Sequence, residues 1–272
     1  MKFSKKRERL VTVSPLTEDI SKLSYSVANL QGIGARARQE DSFTLANALN
    51  MEKYNKDGLL IAVCDGMGGM KDGRLASETA TMSIRESFQL LDRSSNISKQ
   101  LTNSLYEASD KVYSMLEGDG GSTAVVCVIL NERLYFACAG DSFLYLFRDQ
   151  KLIKLNAEHN LCHEHYLDCI RAGTLDEVFE CRNDPEAQAL ISYLGMPGEL
   201  LVDYCARPIP LMSGDIIIAC SDGVGGVLGE KAMLSLIYGQ SPYQIASDIE
   251  EALVTMQRPN QDNYTALIVS CI

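Results

Sequence analysis

The chain has 272 residues, 46% of them hydrophobic and 7% aromatic, with no tryptophan, and its formal net charge is −11. That length suits one α/β-sized domain, and the acidity excludes the cationic surface on which non-specific nucleic-acid binding depends. No run approaches the roughly 18 apolar residues of a membrane span, and nine cysteines without a CxxC pair point to reduced thiols in a cytoplasmic protein.

Residues 1–22 mix Lys2, Lys5, Lys6, Arg7 and Arg9 with short apolar pieces and lack a signal-peptide core. They read as an N-terminal extension whose structure the pattern does not fix, ahead of a single domain over 23–272. Leu23 to Ala28 alternates as a strand does, and Gly32 and Gly34 break it; the charged stretch Ala35 to Phe43 (ARARQEDSF) has by itself the composition of a surface loop. Leu59 to Cys64 then runs apolar without interruption and stops at Asp65, followed by Gly66, Gly68 and Gly69. Such a run reads as a strand buried on both faces, with a carboxylate at its mouth beside unshielded backbone.

Arg74 to Leu91 reads as a helix. A second is marked by Ile97, Leu101, Leu105, Ala108, Val112 and Leu116 at helical spacing, with Asn96 as its N-cap. Three strand-like runs follow at 123–130, 133–139 and 142–148, joined by Asn-Glu and Gly-Asp turns; they predict an antiparallel meander that Lys151 to Leu155 extends. Residues 156–190 carry all three histidines and no clean period, as a functional loop or flap would. Strands are expected at 202–206 and 215–220 and helices at about 230–238 and from Pro242 to about Gln257. The latter opens with the capping box Ser241-Pro242-Tyr243-Gln244. Asn263 to Cys271 closes the chain as a strand. Sheet and helix lie in blocks rather than in βαβ alternation, which predicts an α+β fold.

The arrangement at Asp65 recurs. The strand IIIAC ends at Ser221-Asp222-Gly223, the strand RLYFACA ends at Gly140-Asp141, and Asp262-Asn263 stands immediately before the last strand. Four carboxylates at the ends of four buried strands would form an anionic pocket that requires cations. All-oxygen ligation favours hard ions, Mg²⁺ or Mn²⁺, over zinc. The cluster His159, Cys162, His163 and His165 fits no standard zinc spacing and is expected to have a surface or flap role.

In this order, RARQEDS (36–42), DGMGG with DGRLAS (65–69, 72–77), GGSTAV (120–125), AGDS (139–142), SDG (221–223) and DNYTALIV (262–269) resemble a known family. It is that of the metal-dependent serine/threonine protein phosphatases of the PPM type, or type 2C, in their bacterial form, and the resemblance runs from about residue 24 to the C-terminus. It implies a four-layer α–β–β–α sandwich of two antiparallel sheets flanked by helices. It implies that Asp65 bridges two Mg²⁺ or Mn²⁺ ions, that the Gly66 carbonyl joins one and that Asp222 and Asp262 ligate the other. Glu40 and Asp41 would hold metal-bound waters, Asp141 with Asp222 would hold a third, weaker ion, and Arg36 would bind the phosphate. The implied reaction is in-line attack on a phosphoserine or phosphothreonine by a metal-bridging hydroxide, in a monomer that acts on phosphoproteins and opposes a serine/threonine kinase.

Gln39 stands where the family more often has Asn, and Phe143 where it more often has Arg. Met67 and Met70 stand where relatives carry histidines; with no imidazole in that loop, water is the expected proton source for the leaving group, and His159 is expected to be dispensable as an acid. Two other functions fit the same fold: a catalytically inactive pseudophosphatase that senses a partner, and a phosphatase of small phosphomonoesters. Retention of all the implied ligands favours the protein phosphatase.

Overall fold

The computed structural model describes residues 23–67, 72–174 and 185–272. The expected extension 1–22 and the positions of Gly68, Gly69 and Met70 lie outside the described residues. The elements in chain order are β1 (Tyr25–Gly32), β2 (Ser42–Ala46), α1 (Met51–Asp57), β3 (Leu59–Cys64), α2 (Gly73–Gln89) and α3 (Ile97–Leu116), then β4 (Ala124–Leu130), β5 (Arg133–Ala139), β6 (Phe143–Arg148), β7 (Lys151–Lys154) and α4 (Leu161–Ala172). After them come β8 (Asp203–Tyr204), β9 (Ile209–Pro210), β10 (Ile216–Cys220), α5 (Asp222–Ile237), α6 (Pro242–Thr255) and β11 (Tyr264–Cys271). Among the described residues no helix is long and apolar enough to cross a membrane.

The strands form two antiparallel sheets, one in the order β1-β11-β10-β6-β7 and the other β2-β3-β4-β5-β8, with β9 also paired to β5. Successive side chains of a strand point to opposite faces, and here both faces are covered. Leu60, Ala62 and Cys64 of β3 meet Ala76, Ala80 and Ile84 of α2 and Leu101, Leu105 and Ala108 of α3. The alternate residues Leu59, Ile61 and Val63 meet Leu144, Ile217, Leu267 and Val269 of the other sheet. On the far side Ile216, Ile218 and Cys220 of β10 pack with Val224 and Met233 of α5 and Ile245 and Ile249 of α6. Three apolar layers therefore separate helices, sheet, sheet and helices, which is the four-layer sandwich. The unbroken apolar runs follow: a strand inside this stack has no solvent face on which to place polar residues.

Both anticipated caps form, with Asn96 Oδ1 accepting from Lys99 N–H (3.0 Å) and Ser241 Oγ from Gln244 N–H (3.2 Å). The Gln244 side chain turns forward to Asp248 instead of back, so only half of the capping box is made. The predicted meander is corrected. β4 and β5 pair as expected, but β6 leaves their sheet and pairs with β10 and β7 in the other. The Gly-Asp step is a crossing between sheets rather than a hairpin turn, and it needs Gly140 at φ +97°, a region that costs residues with a Cβ. The helix expected at 230 begins at Asp222 and continues across a break at Gly229 (φ 69°, ψ 168°). The segment read as irregular holds α4 and a 3-10 turn at Pro185–Gln188.

Candidate active site

Asp65 leaves β3 with its main chain held on both sides. Its N–H donates to Thr123 Oγ1 (3.1 Å), and its carbonyl accepts from Thr123 N–H (2.8 Å) and Ser122 Oγ (3.0 Å). The next residue must be glycine, because a Cβ on Gly66 would stand 2.1 Å from the Gly73 carbonyl oxygen and 2.5 Å from that of Glu40. Gly66 N–H donates to the Glu40 carbonyl (3.2 Å), which also accepts from Ser77 Oγ of α2 (2.5 Å). Glu40 thus reaches the site first through its backbone, bracing the turn after β3.

The segment around Arg36 is fastened from the last strand. Asn263 Oδ1 accepts from Glu40 N–H (2.7 Å), while its Nδ2 donates to the carbonyls of Ile33 (2.9 Å) and Arg38 (3.1 Å). Asp262 accepts from Asn263 N–H at Oδ1 (2.7 Å), and its Oδ2 pairs with Arg36 Nη2 at 2.6 Å, both side chains being partly open to solvent. Ser221 occupies the N-cap position of α5 without capping it. Its hydroxyl donates to Asp41 Oδ2 (2.9 Å) and accepts from Thr265 N–H (3.0 Å), so a cap is given up to hold an acid. Asp222 is the first residue of α5, where the helix dipole favours a carboxylate.

The structure brings Asp41, Asp65, Asp141, Asp222 and Asp262 into one cluster. Burial raises Asp65 well above the usual carboxylate range, and the charges of Asp41, Asp222, Asp141 and Asp262 push it further. Burial likewise raises Asp41 to about 6 and, with Asp222 and Glu158 nearby, Asp141 to about 7; Asp222 moves upward through burial and Asp262. Asp41 Oδ1 and Asp222 Oδ1 are buried acceptors without a hydrogen-bond partner. An all-oxygen set with orphaned acceptors and excess negative charge fits hard divalent cations. Among the described residues no three His, Cys, Asp or Glu side chains close around a single point.

Ser142 was not singled out in the sequence, although it lies inside a quoted motif. Ser142 Oγ shares a hydrogen bond with Thr123 Oγ1 (2.7 Å), joining the Asp141 turn to the support of Asp65. Phe143, at the family's arginine position, stacks on Tyr145 (5.8 Å between centroids) with Lys154 Nζ 4.5 Å from its ring centre, so β7 delivers a cation where the motif lacks one. The histidine cluster divides. His159 is buried beside Gly140, with burial holding its imidazole below the ordinary value. Cys162, His163 and His165 lie on α4, where His165 Nε2 is 3.3 Å from Cys169 Sγ.

A family description, "Protein phosphatase 2C", matches residues 25–165. Serine/threonine phosphatase stp of Listeria monocytogenes is 28% identical over 228 residues, spanning 79% of this chain and 86% of that protein. The S. agalactiae serine/threonine phosphatase superposes with a TM-score of 0.75 at 24% identity, over 91% of this chain and 99% of that one. The catalytic domain of the phosphatase PstP in complex with two manganese ions does so with a TM-score of 0.71 at 20% identity, over 92% and 99%. The matched segment covers just over half of the residues and holds Arg36, Glu40, Asp41, Asp65, Gly66 and Asp141: the chain belongs to the protein phosphatase 2C family.

Proposed function

We propose that this chain is a metal-dependent protein serine/threonine phosphatase that removes phosphate directly to water, residues 23–272 acting as one catalytic unit with 1–22 as an extension. One observation carries the reading: buried carboxylates from four strand ends repel one another around orphaned acceptor oxygens and stand beside a guanidinium. Asp65 would bridge two Mg²⁺ or Mn²⁺ ions, with the Gly66 carbonyl on one and Asp222 and Asp262 on the other. Glu40 and Asp41 would act through water, and Asp141 with Asp222 would hold a third ion. When bound, the ions supply Lewis-acid charge for the phosphoryl group and a water activated near neutral pH.

The chain's own residues do the rest. Arg36 presents a permanently charged fork to two phosphate oxygens and so orients phosphorus toward the carboxylate cluster. Its present partner Asp262 keeps it at the mouth of the site. Asn263 fixes the 33–40 segment, so the arginine and Glu40 move as one piece. Met67 has no proton to give, and the leaving alkoxide takes its proton from solvent.

The substrates are phosphoproteins, which implies a kinase of opposite action, and the protein works as a cytoplasmic monomer. The test is hydrolysis of a phosphoserine or phosphothreonine peptide with Mn²⁺, with Mg²⁺ and with chelator. Turnover with the ions and none with chelator is expected; chelator-resistant turnover would overturn the reading.

A further inference from the structure

The crossing at Gly140-Asp141 is held by one residue from outside both sheets. His159 N–H donates to the Gly140 carbonyl (2.9 Å), and Gly140 N–H donates back to His159 Nδ1 (3.1 Å). Both backbone polar groups of Gly140 are thus satisfied by the same residue, 19 positions along the chain. The glycine itself is pressed on Thr123, where a Cβ would stand 2.7 Å from the Thr123 side chain. His159 is in turn anchored at the root of α4: its carbonyl accepts from Ile191 N–H (2.9 Å), and Leu161 N–H donates to the Ala189 carbonyl (3.0 Å). From there Leu194 pairs with Ser122, whose hydroxyl supports Asp65. One bracket therefore runs from α4 to two of the acids.

We infer that His159 is a positioning residue: by accepting the Gly140 amide at Nδ1 it fixes the turn that aims Asp141 into the carboxylate cluster, and so links the root of α4 to the ion that Asp141 and Asp222 would hold. The inference rests on the metal reading given above. Asp141 is partly buried among like charges, and the direction of its carboxylate follows from the turn that carries it. The same bond argues against His159 as the acid of the reaction. A ring that accepts at Nδ1 carries its proton at Nε2, and a neutral imidazole that gives up that proton becomes an anion.

Two substitutions separate the roles. In His159→Asn the amide oxygen falls where Nδ1 was and can still accept from Gly140; in His159→Gln the amide reaches the place of Nε2 and the acceptor at Nδ1 is lost. In metal-free protein the Gly140 amide should be protected from hydrogen exchange in wild type and His159→Asn, and exchange at least about tenfold faster in His159→Gln. Titration with Mn²⁺ followed by electron paramagnetic resonance should show the weakest site loosened by about tenfold in His159→Gln, kept in His159→Asn, with the tighter sites unmoved.

Equal behaviour of the two variants, or preservation by Gln and loss by Asn, overturns the inference. If the Gln variant does not fold, the ¹⁵N shifts of His159 in wild type decide: an unprotonated Nδ1 is required, and a protonated one rules the proposal out. Wild type that binds no Mn²⁺ removes the metal reading and the ion-linked part of this proposal together, while amide exchange still reports the His159–Gly140 bond by itself.

Discussion

Asp65 concentrates the unfavourable electrostatics of the site in one side chain, since burial and four neighbouring carboxylates all oppose its ionisation. Asp65→Asn removes the charge and keeps the shape. Metal-stimulated hydrolysis should fall to background, while the metal-free variant unfolds at a higher temperature than metal-free wild type at neutral pH. Retention of near-normal turnover would take Asp65 out of the mechanism. Arg36 presents a different case, because its partner Asp262 is itself an expected ion ligand. Arg36→Ala should raise KM for a phosphopeptide and weaken inhibition by inorganic phosphate by roughly tenfold or more, as loss of a charge-assisted fork does. Affinity for Mn²⁺ should stay equal or tighten, since Asp262 is released from its ion pair. A collapse of Mn²⁺ affinity with KM unmoved would show that the arginine serves the ions and not the substrate.

At the scale of elements, β6 depends on an ion pair that binds both sheets. Arg148, at its end, donates through Nε to Asp215 Oδ1 (2.8 Å) and through Nη2 to Oδ2 (2.5 Å) just before β10, and Nη2 also reaches the Pro210 carbonyl of β9 in the other sheet (2.7 Å). Asp215 is 2% exposed and Arg148 21%, so the two ends are unequal. Arg148→Ala strands a buried carboxylate and should cost about 3 kcal/mol in urea unfolding. Asp215→Asn leaves a cation that still touches water and should cost less; the reverse order would show that packing of the arginine stem, not charge, holds the junction.

This junction also shows what a sequence conceals. Apolar runs announced β3, β4, β5, β6, β10 and β11, and Asn96 and Ser241 announced two helix starts, because those signals are local. Which sheet β6 joins is not local: its run looks the same on either side of the Gly140 crossing. The site was legible as acids at strand ends, since that pattern is carried by adjacent residues. The parts played by Ser221, Asn263 and His159 were not, because each acts on a segment 19 to 230 residues away.

Over the whole molecule the acids join two sheets. Asp41 and Asp65 belong to the sheet of β2 and β3, Asp222 and Asp262 flank β10 and β11, and Asp141 sits on the crossing between them. Their mutual repulsion is therefore a force between the layers, and its dependence on pH is measurable. Folding raises Asp41 from 3.8 to about 6 and Asp141 from 3.8 to about 7, and raises Asp65 and Asp222 as well. Between those values the folded chain binds more protons than the unfolded one, so stability falls as pH rises. What these groups contribute is fully present below the unfolded value and is lost by the time pH passes the folded ones. His159 pulls the other way, its lowered value making the fold gain as the imidazole deprotonates, but four carboxylates oppose one histidine. The melting temperature of metal-free protein should therefore drop from about pH 5 to about pH 7.5, and the drop should be shallower in Asp65→Asn. Divalent ions are expected to bind the ionised cluster, and their stabilisation should then grow over the same interval, reaching about 2.7 kcal/mol at neutral pH when the ion is at a hundred times its Kd. A metal-free melting temperature that is flat or climbs across that interval, measured by calorimetry in chelator, would mean that the acids are not held together as the fold places them.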